Sequence, residues 1–529
     1  MTRTAAWLWI LLPALSLGAC ARDEERAVGS AAVLDPSAAA SGHIAWFEGS
    51  VEDAFARARG ERKPLFLYWG AEWCPPCHEI KATVFRSREF IERSRLFVAV
   101  YLDGDTDNAQ ALGEKFGVVG YPTMVVFSPE GAEITRIPGG IDIQAYANVL
   151  DLTLGDVQPV PTILARVLDD GERLAAPDCR LMAYYSWDQD KALLEGRDAA
   201  AVFRSLTEAC PAASKTEVSM LAMRHLDAAW IAGPAKDPPT LPTEAAREAA
   251  LLRLHGVLDD YTLARANLYP VLMSGAKFTA ALTRSGSAGR EALRDKFLGV
   301  LDRMAKDPAI FTAERLYTAI GRIRFERIDD PKAVISAALR TDIEAMIAEA
   351  DAATSDVYER QAVINAASNV LDEADLHERA KDLLLAELSR SRQPYYFMVG
   401  LAEIEQRAGR TADALQWLER AYAEARGPAT RFQWGTYYVT GLVEMAPDDV
   451  GRIQAETVRV VQELEGSRAF YQRPKAQLQK LEATLEGWGT TAPRRAGLAR
   501  IRRDVMTICA TIPAQESARA TCEGFLAPA

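Results

Sequence analysis

The sequence has no surplus of basic charge: 61 lysines and arginines stand against 73 aspartates and glutamates, for a formal net charge of −12 and a pI near 5.2. A nucleic-acid partner needs a basic face, so that class is excluded. Histidine is scarce, and His43, His225, His255 and His377 lie scattered without the spacing of a metal site. No phosphate-cradling glycine loop and no hydrolase triad can be assembled. After the first twenty residues no apolar run is long enough to cross a membrane. What is left is 49% hydrophobic and 25% charged, a globular composition, over 529 residues, too many for one ordinary domain.

Cysteine is sparse as well, but two of the seven stand one helical turn apart in Glu72-Trp73-Cys74-Pro75-Pro76-Cys77-His78. The apolar run Leu65 to Trp69, bounded by Pro64 and Gly70, predicts a buried strand, and Pro75 suits the first position of a helix. Cys74 then stands at a helix N-terminus, where unpaired N–H groups and the positive end of the dipole favour a thiolate. Cys74 becomes the attacking sulfur, and Cys77 resolves the mixed disulfide. A zinc site would need a second CxxC, and His78 is adjacent rather than spaced as a ligand, so no metal is expected. His78 is expected to be solvated and Trp73 to shield the sulfurs. The redox reading requires the two sulfurs to be within covalent reach of each other and not walled off from solvent.

From about Trp46 to Leu154 these residues resemble the thioredoxin superfamily, most closely the C-terminal thioredoxin-like domain of the bacterial membrane reductase DsbD. The likeness rests on Trp73-Cys74-Pro75-Pro76-Cys77, on Thr83-Val84-Phe85 with Phe90-Ile91, and on Gly117 to Thr123 with Tyr121-Pro122-Thr123 at its end. It implies an α/β domain with a mixed sheet flanked by helices, a redox-active Cys74–Cys77 disulfide, and a cis Pro122 facing the sulfurs. It also implies a docking groove shaped by Trp73, Pro75, Pro76, Tyr121, Pro122 and Thr123, with Gly139-Gly140 letting a substrate backbone approach. No dissociable cofactor is needed. Two positions depart from the family: Tyr68 stands where thioredoxins bury an acid, and Lys81 where the DsbD domain has a carboxylate. Both changes favour the Cys74 thiolate.

Read in order, residues 1–19 predict a secretion signal, and Leu17-Gly18-Ala19-Cys20 resembles the lipobox of bacterial lipoproteins. The resemblance implies acylation of Cys20 and, with Ala21 following, anchorage on the periplasmic side of the envelope at the outer rather than the inner membrane. Residues 20–42 read as a tether, 43–157 as the thioredoxin-like domain, and 158–529 as a large all-α domain broken at Gly233-Pro234, Asp237-Pro238-Pro239 and Asp307-Pro308. Within the first domain strands are expected at Ile44–Trp46, Phe97–Leu102, Thr123–Phe127 and Ile134–Ile137. Helices are expected at Val51–Arg59, Asn108–Phe116 and Ile143–Leu154. In the second, Ser368, Ala380, Leu384 and Pro394 recur 34 residues later as Ala402, Ala414, Leu418 and Pro428, so 363–428 resembles a pair of tetratricopeptide-like units. The four remaining cysteines are expected to pair as Cys179 with Cys210 and Cys509 with Cys522, by their short separations. The whole reads as a membrane-anchored thiol–disulfide oxidoreductase of the envelope, with disulfide-bearing client proteins and a redox partner in the envelope membrane. The alternative is a lipid-anchored helical-repeat scaffold whose thioredoxin-like part is structural.

Overall fold

The computed structural model describes residues 42–139, 143–155, 157–231, 243–464, 472–514 and 516–527. The signal, Cys20, the tether before Gly42, Gly140, and the breaks at Gly233-Pro234 and Asp237-Pro238-Pro239 lie outside the described residues. A four-stranded mixed sheet is built around β1 (Leu65–Gly70), which runs parallel to β2 (Val98–Asp103) and antiparallel to β3 (Thr123–Phe127). β4 (Glu133–Ile137) closes the far edge against β3. Every residue of β1 is buried, and its side chains alternate between two cores. Leu65, Leu67 and Trp69 pack with α1 (Val51–Glu61) and α4 (Asp107–Lys115). Phe66 and Tyr68 pack with α2 (Pro75–Ala82), α3 (Arg88–Ser94) and α5 (Ile143–Thr153).

The strand expected at Ile44–Trp46 is reduced to a single bridge, Trp46 to Ala99. Its ladder has no room to extend: Ser50 caps α1 four residues later, accepting from the Asp53 N–H at 3.0 Å. Trp46 instead contributes its ring to a cluster with Tyr68, Phe85 and Tyr101.

All the regular elements after the sheet are helical. After α5, helices α6 (Val160–Leu168), α7 (Ala176–Ala183), α8 (Ala199–Ala209) and α9 (Lys215–Trp230) are not a separate body. Their Ile163, Leu164, Met182 and Leu206 share one core with Phe66, Tyr68, Met124 and Tyr146 of the thioredoxin-like part. A second core gathers α10 (Glu244–Asp259), α11 (Tyr261–Ala266), α12 (Gly275–Leu282) and α13 (Ala288–Met304) around Phe278 and Phe297. A third holds α14 (Thr312–Glu326), α15 (Ala337–Ala353), α16 (Val357–Glu373) and α17 (His377–Glu387) around Ile343 and Ala366. The last, around Tyr438 and Leu485, joins α18 (Pro394–Arg407), α19 (Thr411–Glu424), α20 (Pro428–Met445), α21 (Val450–Gln462), α22 (Gln472–Trp488), α23 (Ala492–Cys509) and α24 (Ser517–Gly524).

The 34-residue shift carries α17 onto α19 and α18 onto α20. Ala380 and Ala414 are both fully buried, and Pro394 and Pro428 each open a helix. Small side chains at such sites let neighbouring helices approach closely. Cys179 of α7 is joined to Cys210 at the end of α8, and Cys509 of α23 to Cys522 of α24, each with Cα atoms 5.5 Å apart.

Candidate redox site

The turn after β1 delivers the two cysteines. Cys74 has extended backbone (φ −79°, ψ 109°), so it is the N-cap of α2 rather than its first turn, and Pro75 follows where no N–H is needed. The Cys77 N–H donates to Cys74 Sγ at 3.2 Å, and the His78 N–H donates to the Cys74 carbonyl at 3.0 Å. The two sulfurs are bonded, with Cα atoms 5.2 Å apart. In the reduced form the same N–H and the axis of α2 face the Cys74 sulfur, which favours its anion.

The Tyr121–Pro122 peptide is cis, as the family resemblance implies. Tyr121 packs with Trp73 against Ala71 and both sulfurs, and its hydroxyl donates to the Gly104 carbonyl at 3.2 Å. Thr123 is fully buried and turns its hydroxyl onto the Gly120 carbonyl at 2.7 Å. Gly139 backs the proline: a Cβ there would lie 3.0 Å from Pro122 Cγ, so a larger residue would press on it. Pro75 is buried and Pro76 exposed. Trp73 and Tyr121 are thus the side chains packed against the disulfide, and Gly139 lies against Pro122.

The charges near the site differ from their sequence reading. Lys81 does not offer a free ammonium to Cys74, because its Nζ pairs with Glu72 Oε1 at 2.9 Å and sits 4.9 Å from the centre of the Tyr101 ring. Tyr68 is buried among aromatic rings, and its hydroxyl has no hydrogen-bond partner among the described residues. His78, expected to be solvated, is 1% exposed, because α16 packs on α2 and sets Tyr358 5.1 Å from the imidazole. Nε2 of His78 meets the Glu72 carbonyl, while Nδ1 has no partner among the described residues. Burial, with Lys81 and Arg392 nearby, holds His78 below its ordinary pKa. Glu79, one residue on, is pushed well above the carboxylate range by desolvation and by the Glu314 and Glu359 carboxylates of α14 and α16.

The largest departure concerns access. Cys74 is 2% exposed and Cys77 not at all, where the redox reading wants at least one sulfur open to solvent. Trp73 and Tyr121 pack on the cysteines, and the helical region packs in turn on Trp73. Trp73 stacks on Tyr396 with ring centres 6.4 Å apart and meets Trp434 edge-on at 5.0 Å. Asp105, in the loop after β2, accepts from the N–H and the hydroxyl of Thr430 at 2.8 and 2.6 Å, and so caps α20 from another region of the chain. Arg86 pairs at 2.7 Å with Asp356, the N-cap of α16. Asp105, Tyr358, Tyr396 and Trp434 carry no local signal of these contacts. The one available signal was Gly427-Pro428, a helix start with no side chain of its own to cap it.

Residues 51–153 match the family model of the thioredoxin-like domain. The thiol:disulfide interchange protein DsbD of Cronobacter sakazakii is 34% identical over 163 residues, which cover 28% of this chain and 27% of that protein. DsbD of Actinobacillus pleuropneumoniae is 27% identical over 123 residues, 22% of this chain and 21% of its own. The chloroplastic thioredoxin-like protein CITRX of rice (Oryza sativa subsp. indica) is 36% identical over 95 residues, 18% of this chain and 48% of that one. The chain thus spans about a quarter of the DsbD proteins it matches. The N-terminal part is a thioredoxin-like domain related to that of DsbD. No helix among the described residues is long and apolar enough to cross a membrane.

Proposed function

We propose that this protein is a lipid-anchored thiol–disulfide oxidoreductase of the bacterial envelope, exchanging disulfides with client proteins through Cys74 and Cys77. The supporting observation is a sulfur at the N-cap of α2, its mate one turn away, in a domain related to DsbD. In the reducing direction the Cys74 thiolate attacks one sulfur of a client disulfide, and the other leaves as a thiolate and takes up a proton. Cys77, giving up its proton, then attacks Cys74, which frees the reduced client and leaves the Cys74–Cys77 disulfide. A dithiol donor must return the two electrons. The reverse sequence oxidises a client dithiol, and the site's potential relative to its compartment selects the direction.

On this reading Trp73, Pro75, Pro76, Tyr121, Pro122 and Thr123 shape the client groove, Cys20 carries the lipid, and the tetratricopeptide-like helices recruit clients or a redox partner. Replacing Cys77 by serine is expected to accumulate covalent client complexes through Cys74, and their absence from envelope extracts overturns the reading. Burial of both sulfurs favours a second reading, a lipid-anchored scaffold in which the thioredoxin-like part is structural. A partner retained after loss of both Cys74 and Cys77, with no reduction of insulin by a dithiol donor, would decide for the scaffold.

A further inference from the structure

Beside the packing of α16 on α2, the helical region meets the thioredoxin-like part through Trp73, His78, Arg86 and Asp105. Trp73 enters a cleft of about 520 Å³ whose walls include Tyr396, Trp434 and Tyr437. His78 lies against Tyr358, Arg86 against Asp356, and Asp105 against Thr430. A protein disulfide reaches Cys74 only if its own chain lies along this face, with the attacking and leaving sulfurs in line. That position is taken by α16, α18 and α20.

We propose that these helices are an intramolecular cap whose surface fits the thioredoxin redox face, and that cap and client compete for that face. Thiol exchange proceeds only from the uncapped form. Two of the polar contacts are of a releasable kind. The Arg86–Asp356 pair is part-exposed, with about half of the arginine side chain open to solvent at 54%. Such a pair contributes little and is screened by salt. The strongest polar element is the Asp105 carboxylate on the N-terminus of α20, a charge-assisted cap with two hydrogen bonds. Gly427 is the steric counterpart: its φ is +82°, and a Cβ there would lie 2.6 Å from the Asp105 carboxyl carbon. The socket is built to receive Asp105.

The proposal rests on Cys74 as the exchanging sulfur only for its consequence in client turnover, and access itself is measured with a small reagent. The oxidised full-length protein is treated with tris(2-carboxyethyl)phosphine, quenched at intervals by alkylation, and mapped by mass at each of the six cysteines. In the parent protein Cys74–Cys77 is expected to be reduced slowly. Asp105→Ala should accelerate that bond by on the order of tenfold, Asp105→Asn by less because one acceptor remains, and Gly427→Ala comparably to Asp105→Ala. Cys179–Cys210 and Cys509–Cys522 should keep their parent rates. Equal acceleration of all three disulfides overturns the proposal, since the fold as a whole would then be the barrier. Unchanged reduction of Cys74–Cys77 in every variant overturns it too. Cys77→Ser placed in the Asp105→Ala background separates this from the function proposed above. Faster reduction with no trapped client leaves the cap standing and removes the client-directed enzyme, whereas equal trapping with and without Asp105→Ala removes the cap.

Discussion

The helical region touches the thioredoxin-like domain on two sides, by different physics. On the side of α5 the contact is an apolar core, with Leu164, Met182, Phe203 and Leu206 buried together with Phe66, Tyr146 and Val149. On the side of the disulfide, apart from the packing of α16 on α2, the contact is a handful of rings, one ion pair and one borrowed helix cap. The first kind of surface is stabilised by removing hydrocarbon from water and is lost only with the fold. The second depends on directional contacts that water and salt can replace. One attachment is permanent, the other reversible, and the sulfurs lie under the reversible one.

Substitutions on the two sides separate these contributions. Leu206→Ala, in the shared core, should have the largest effect, a loss of ~3 kcal/mol in urea unfolding, with sheet and α6–α9 signals moving together. Separate transitions for the two would break the comparison. Asp105→Ala should cost about 1 kcal/mol in the same measurement, while deuterium uptake rises at the start of α20 and not in α7 or α8.

The third prediction concerns pH. Glu79 faces Glu314, Glu359 and the Tyr146, Tyr269 and Tyr317 rings, and its raised pKa means that the capped form gives up stability as pH rises above 4.5. His78, facing Glu72, Lys81, Tyr358 and Arg392, has a lowered pKa, so the capped form gives up stability as pH falls below 6.5. Between these values the two slopes oppose each other. Amide exchange along α16, corrected for the intrinsic rate, should therefore depend less on pH below 6.5 than above it, and rise on the alkaline side through Glu79. Glu79→Gln should flatten the alkaline limb. The smallest effect is expected from Lys81→Met. Its ammonium is already paired with Glu72, so the Cys74 titration, followed by thiolate absorbance, should move by less than about 0.5 pH unit.

The local part of this architecture was legible in the sequence. β1 announces itself as an apolar run between Pro64 and Gly70, and Pro75 after Cys74 starts a helix by backbone geometry alone. The cis form of Pro122 was implied by the resemblance to the thioredoxin superfamily that Gly117 to Thr123 helps carry. What escaped was pairing at long range. Asp105 sits in an ordinary turn sequence, and nothing in it names Thr430, 325 residues away. His78 reads as a surface residue until α16 is laid over it, and Lys81 as a free charge until Glu72 turns back to meet it. The shared core likewise has no mark in the sequence at Gln158, because amphipathic helices such as α6 look the same whether they cover a sheet or one another.

The borrowed cap on α20 also fixes an order of events during synthesis. Because chains are made from the N-terminus at a few residues per second, Asp105 and both active-site cysteines emerge on the order of tens of seconds before Thr430 does. The strand, turn and helix that carry both cysteines are thus made well before the helix start that Asp105 completes.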